Sequence, residues 1–408
     1  MSVVDRNNID FNAANLPDTL PMGADIPYQQ FMDAVDFSSL QSFSQGLRDR
    51  LNISDVILER EALPIFVRNG YLVGIEGIKE DQRKMFAPML DSAVASMQRN
   101  KHAADDWNSI FECDFSVKGN DGSMIRVHGY KHEGGDAMSM RIQSKSFLKY
   151  EQLGFHPEVL DLFNRRQGLI IFGGPVRSGK TNSMHAIIEH RNENGPREHN
   201  IVVADPPEFL HKQKYAKITT RELGINAASY KTAIKGALRI KHHLLVIGEM
   251  RGDRATARAI LQACDLGSLC VTTAHTNNTA QTIRRFTNIF TGSDSNTMAE
   301  TFQQAVIAIF FLVLVPTVDG REVMAHEVFV KTNANEGLLK DPRQIAGGID
   351  VNNDTISHSL DKHLAYLCYE RRLITEETMR AYAHDKVYLQ SLVDRRDYHI
   401  EGLPEVGR

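Results

Sequence analysis

Gly168-Leu169-Ile170-Ile171-Phe172-Gly173-Gly174-Pro175-Val176-Arg177-Ser178-Gly179-Lys180-Thr181-Asn182 leads from a short apolar run into a glycine-rich loop and then into NSMHAIIEHR, a helix-compatible stretch. Residues Gly174 to Thr181 fit G-x-x-x-x-G-K-[ST] in full, in the strand–loop–helix setting that the motif requires. The physical logic is specific. Glycines let backbone N–H groups turn inward around phosphate, and the helix N-terminus adds partial positive charge. Lys180 then reaches the β- and γ-phosphates, and Thr181 offers a hydroxyl to Mg²⁺. Gly174, Pro175, Val176, Arg177, Ser178, Gly179, Lys180, Thr181 and the following Asn182 are the candidate nucleotide-binding residues, with Thr181 the metal ligand.

Outward from this loop, the apolar runs NIVVA, HLLVIG, LCVTTA and VIAIFFLVLV alternate with helical spacing in AASYKTAIKGALR and RATARAILQACD. Runs without polar alternation suit strands buried on both faces, which predicts an α/β domain with a largely parallel sheet. Carboxylates at the ends of such strands face the crevice where ligands bind. Glu249 follows HLLVIG and suits holding an attacking water. Asp205 and Glu208 follow NIVVA, where the Asp-Pro-Pro step alone would suggest a plain turn. His275 follows LCVTTA and can sense a γ-phosphate. Transition-state charge also calls for guanidinium groups. Arg126 and Arg141 flank a hairpin earlier in the chain, and Arg68 and Arg251 are further candidates.

The remaining sequence bounds the class. The 408 residues carry 47 Lys+Arg against 51 Asp+Glu, with 42% hydrophobic and 24% charged residues. These values exclude a mainly disordered or fibrous chain. A formal charge of −4 and a single Trp argue against a channel for nucleic acid. The four cysteines include no Cys-x-x-Cys pair, so a reducing compartment and no disulfide framework are expected. The longest apolar run, Ala305 to Val315, has 11 residues, too short for a membrane-spanning helix of about 20.

Six aspartates against Arg6 in residues 1–46 read as an acidic, weakly structured arm. Residues 47–150 read as a small α+β domain, with PIFVRNGYLVGI and SMIRVHGYKHEGGDAMSMRI as strands joined by turns at Asn69-Gly70 and Gly134-Gly135. Residues 151–167 read as a linker, 168–335 as the α/β domain, and 336–408 as a loop followed by helices. In that last part Leu360, Leu364, Leu367 and Cys368 form an apolar stripe.

In order and content, FGGPVRSGKT, NIVVADPPEFLH, ALRIKHHLLVIGEMRG, TTAHTNNTAQTIRRFTNIF and REVMAHEVFV resemble the type II/type IV secretion ATPases. They are most similar to the pilus-retraction branch, which includes the ATPases of type IVB secretion and conjugation. The resemblance covers roughly residues 47–393. It implies a RecA-like P-loop ATPase core, a smaller PAS-like N-terminal domain and a C-terminal helical extension. It further implies a cytoplasmic homohexamer that binds ATP between domains, works with inner-membrane components of a pilus or secretion machine, and needs no membrane span of its own. By motif, Asp205 and Glu208 belong to the Asp box, Glu249 to the Walker B element and His275 to the His box. Arg126 and Arg141 lie on the arginine-bearing hairpin.

Departures from the family pattern leave alternatives open. Ala204 stands where the Asp box usually carries a catalytic Glu, so Glu249 or Glu208 takes that role, or turnover is slow. Arg177 replaces a common glycine, Leu266-Gly267-Ser268 replaces the usual Thr-Gly-His, and the zinc-binding tetracysteine site of the assembly branch is absent. With the acidic arm, these points favour a conjugation or type IVB secretion ATPase over a twitching-motility motor. An ATP-binding ring scaffold with little hydrolysis is the other reading.

Overall fold

The computed structural model describes residues 23–68, 71–99, 111–143, 148–250, 252–290, 295–351 and 355–404. Two large sheets organise the described residues. In the N-terminal sheet, β2 (Ile53–Glu59), β3 (Ile65–Arg68), β4 (Tyr71–Val73), β6 (Glu112–Lys118), β7 (Met124–His132) and β8 (Gly135–Ile142) pair antiparallel in the order β4-β3-β2-β8-β7-β6. The β7–β8 turn is tight, with His132 opposite Gly135, whose φ of 105° is a conformation L side chains rarely take. Asn69-Gly70, expected as the other turn, lies outside the described residues; the strands flanking it pair Arg68 with Tyr71.

Residues 23–46 differ from the expected acidic arm. Ile26–Pro27 (β1) pairs with Ile75–Glu76 (β5), and helices Tyr28–Ala34 and Leu40–Leu51 lie on the sheet. Asp25, Asp33 and Asp36 are exposed, while Phe31, Leu40 and Phe43 are fully buried and pack with Phe66 and Phe86. The charge count registered the solvent face; the apolar face covers a core. Ser39 caps the second helix by accepting from the N–H of Ser42. Residues 1–22 of that arm lie outside the described residues.

The second sheet has the order β11-β10-β12-β13-β9-β14-β15, from β9 (Gly168–Gly174), β10 (His199–Ala204), β11 (Lys217–Glu222), β12 (Leu244–Ile247), β13 (Leu269–His275), β14 (Val306–Pro316) and β15 (Glu322–Val330). Every neighbouring pair is parallel except β14–β15. Successive strand residues serve opposite cores: Ile171, Val203 and Ile247 go to one, Phe172, Val202 and Val246 to the other. This is the physical content of runs without polar alternation.

The stretch expected as a linker is instead part of the second core, because Leu153, Phe155, Val159, Leu162 and Phe163 bury their apolar side chains beneath the sheet. At the other end, Leu360, Leu364, Leu367 and Cys368 are buried against Phe311, Val315 and Ala325 of β14 and β15. The helical extension therefore packs on the sheet edge. Among the described residues no helix is long and apolar enough to cross a membrane.

Candidate nucleotide site

Parallel pairing aligns the strand ends that carry the candidate residues. Gly174 at the end of β9 is opposite His275 of β13, Thr272 is opposite Ile247 of β12, and Ile247 is opposite Val203 of β10. The segments that follow therefore meet over one crevice, the general ligand position of such sheets. Helix Lys180–Asn194 starts there, with Gly179 (φ 87°) at its N-cap. A Cβ on Gly174 would strike the Leu312 carbonyl and the Ser178 hydroxyl, so only glycine fits that turn. Arg177 also has a positive φ, 66°. The loop demands a left-handed residue there, which accounts for glycine being the commoner choice; an L residue costs about 1–2 kcal/mol.

The crevice is a cleft of about 500 Å³ between the two sheets. Val176 to Asn182, Asp205, Glu208, Glu249 and His275 line it from one side, and Arg126 and Arg141 from the other. Gly174 and Pro175 complete the loop: their carbonyls accept from Lys180 Nζ at 2.9 and 2.5 Å. One further candidate arginine falls elsewhere. Arg68 donates to the Ala24 carbonyl at 2.9 Å, which assigns it to holding the N-terminal segment. Arg251 lies outside the described residues.

Electrostatics follow from this enclosure. Burial lowers the Lys180 pKa to about 8, against the pull of the Glu249 and Glu208 carboxylates. Burial raises Glu208, although Arg126, Arg141 and Lys180 favour its charged form. Burial and Lys180 together lower His275, whose Nε2 lies 3.2 Å from Glu249 Oε1. A cage of cationic groups around half-buried carboxylates suits a polyanion that brings its own cation. The glycine-built loop, the Thr181 hydroxyl and the acidic strand ends are a donor set that fits Mg²⁺-triphosphate.

The structure adds residues that the sequence did not single out. Asp55 accepts from Arg141 Nε at 2.7 Å and so aims the guanidinium. His185 lines the cleft and joins a buried chain: its Nδ1 is 2.8 Å from His211 Nε2, and His211 Nδ1 is 2.6 Å from Glu189. Lys214 and His211 overcome burial to hold Glu189 down at about 2. The chain ties the helix after the phosphate loop to the segment after the Asp box. No short-range signal marks Asp55 or His185. Their roles come from strands and segments far apart in sequence.

Comparison with known proteins agrees with this geometry. The family described as type II/IV secretion system protein matches residues 115–336. The type IV pilus retractation ATPase PilT of Pseudomonas aeruginosa is 27% identical over 354 residues, covering 85% of this chain and 97% of its own. The type IV pilus ATPase PilU of the same species is 30% identical over 243 residues, covering 59% and 63%. Among solved structures, the ADP-bound pilus retraction motor PilT superposes with a TM-score of 0.71 at 23% identity, over 85% of this chain and 98% of that one. The Legionella pneumophila ATPase DotB gives 0.67 at 20% identity, over 88% and 98%. Phosphate loop, RecA-like sheet, PAS-like N-terminal domain and helical extension thus converge: the chain belongs to the type II/IV secretion system protein family and is an ATPase of its pilus-retraction-like branch.

Proposed function

We propose that this chain works as a homohexameric, Mg²⁺-dependent motor whose ATP hydrolysis powers a type IV secretion, conjugation or pilus machine at the inner membrane. The observation that carries the reading is the cleft in which Arg126 and Arg141 of one sheet face the phosphate loop, Glu208 and Glu249 of the other. In this reading, a site completed by two separately folded halves turns a change in bound phosphate into relative movement of those halves.

In this reading the loop N–H groups and Lys180 hold the β- and γ-phosphates, and Thr181 with the strand-end carboxylates holds Mg²⁺. Bound there, the cation would neutralise charge on the phosphate oxygens. Glu249 orients the attacking water, and His275 fixes the Glu249 carboxylate from 3.2 Å. Arg126 and Arg141 stabilise the charge that develops as the γ-phosphoryl group leaves. They also sense its loss. Glu208, half-buried and under the influence of both arginines, is the alternative water-positioning group. ADP bound to a relative of this fold supports the nucleotide assignment.

Ala204 supports the second reading, an ATP-binding ring with little intrinsic hydrolysis. It lies in the cleft where the family's Asp box usually carries a Glu. ATP turnover measured against protein concentration, with molar mass by light scattering on the same samples, separates the two. Turnover that rises with hexamer formation supports the motor. Hexamers that bind ATP without turnover refute it and leave the scaffold.

A further inference from the structure

Away from the nucleotide cleft, three histidines meet where β15, the segment leading into the ATPase sheet and the C-terminal helices join. His326 lies on β15, His358 on the strand-like segment bridged to Val328, and His363 on helix Leu360–Ala365. They are 0%, 2% and 3% exposed, and one ring nitrogen from each lies within 4.8 Å of the others. None takes part in the mechanism above.

Their hydrogen bonds decide their chemistry. A carbonyl oxygen only accepts, so His326 Nε2 donates its proton to the Gly154 carbonyl at 3.2 Å. By the same rule His358 Nδ1 donates to the Ile356 carbonyl at 2.9 Å. Each neutral imidazole has then spent its one N–H. The two remaining nitrogens, His326 Nδ1 and His358 Nε2, face each other at 2.8 Å, lone pair toward lone pair. That contact is repulsive unless a positive charge sits between them. Burial opposes a proton there, since an imidazolium held away from water loses its hydration. A metal ion meets the need without protonating either ring. Imidazoles whose far N–H is tied to a backbone carbonyl are the usual form of metal-bound histidine.

We propose that His326, His358 and His363 bind a divalent transition-metal ion of the zinc class. The ion pins the C-terminal extension to β15. His326 and His358 are the primary pair. His363, stacked on His326 with centroids 3.9 Å apart, is the third ligand; to coordinate, its Nδ1 gives up the hydrogen bond it accepts from the His326 main-chain N–H at 3.0 Å. Glu327, next in sequence and 3% exposed, acts electrostatically on His358 and supplies nearby negative charge. Imidazole ligands favour zinc, copper, nickel or cobalt over magnesium or calcium, so the site stays distinct from the nucleotide's cation.

The test uses the untagged full-length chain, stripped with chelator, desalted and titrated with Co²⁺ and then Zn²⁺. The expected result is one tightly retained ion per chain, a visible Co²⁺ spectrum of tetrahedral type, displacement by Zn²⁺ and a higher melting temperature with metal. His358→Gln should weaken Co²⁺ binding by about tenfold or more, given that even outer partners of metal ligands act on that scale. His363→Cys keeps a ligand and should add a sulfur-to-cobalt charge-transfer band. Failure of the parent chain to retain either ion overturns the proposal, because a proton then bridges the pair. Retention unaffected by His358→Gln overturns it too, because the ion then sits on other histidines. A folded His363→Cys protein that binds Co²⁺ without the new band removes His363 from the ligand set and refutes the three-histidine site.

Discussion

Nucleotide binding should weaken, with measurable proton uptake, as pH rises through the pKa of Lys180. Its side chain is buried, with the residue 6% exposed, and burial brings its pKa from 10.5 to about 8 in the nucleotide-free chain. That difference corresponds to about 3 kcal/mol by which the site disfavours the ammonium. Phosphate oxygens at Lys180 restore the charged form, so its pKa rises on binding. A group whose pKa is raised in the complex adds affinity fully below its free-state pKa and loses it as pH rises. Binding should therefore take up about half a proton at pH 8 and about a tenth at pH 7, and the apparent Kd should rise about tenfold from pH 7 to pH 9. His275, lowered by burial and by Lys180, also faces the cleft, so the Lys180→Met comparison is what assigns the uptake to Lys180. Calorimetric titration with a slowly hydrolysed ATP analogue, in buffers of differing ionisation enthalpy, measures the uptake directly. Heats independent of buffer at pH 8 would refute the argument. So would an unchanged buffer dependence in Lys180→Met.

Four further outcomes are expected. Glu249→Gln should keep ATP binding and abolish turnover in rapid-quench assays, and the assignment fails if Glu208→Gln does so instead. Arg126→Ala should cut turnover by about 10³-fold with nucleotide affinity nearly unchanged, as for other guanidinium groups acting on a γ-phosphate; a change in affinity alone would contradict a transition-state role. Phe310, fully buried and stacked on Phe172 at 4.9 Å, should cost about 3–5 kcal/mol in chemical denaturation when changed to Ala. The Glu327 carboxylate, 3.9 Å away, overcomes burial to raise the His384 pKa, so this pair's stabilisation is complete below pH 6.5 and fades as pH rises past the folded value. Denaturation midpoints across that range should flatten in His384→Gln.

Much of the site was legible because its parts are local. The phosphate loop is a backbone device, and a backbone that must turn with φ of 151° at Gly174 and 87° at Gly179 writes glycine into the sequence. Glu249, Asp205 and His275 were readable as strand-end residues because buried parallel strands announce themselves as unbroken apolar runs. Residues 23–46 and the expected linker differ from their sequence reading for one reason: composition does not register burial, which depends on which face of a short helix carries Phe31 or Leu162.

The sequence by itself determined the class of chemistry, a phosphate-binding loop on a parallel sheet, since strand, turn and helix signals act over a few residues. Only the tertiary structure decided what surrounds that loop. The order β12-β13-β9 brings Glu249 and His275 beside Lys180, and the N-terminal sheet carries Arg126 and the Asp55–Arg141 pair across the cleft. The His326–His358–His363 cluster is likewise a product of packing, because 37 residues separate His326 from His363 and only the docking of the C-terminal helix closes that distance. Side-chain convergence of this kind depends on strand order and on which elements share a core, and neither is written in any short window of sequence.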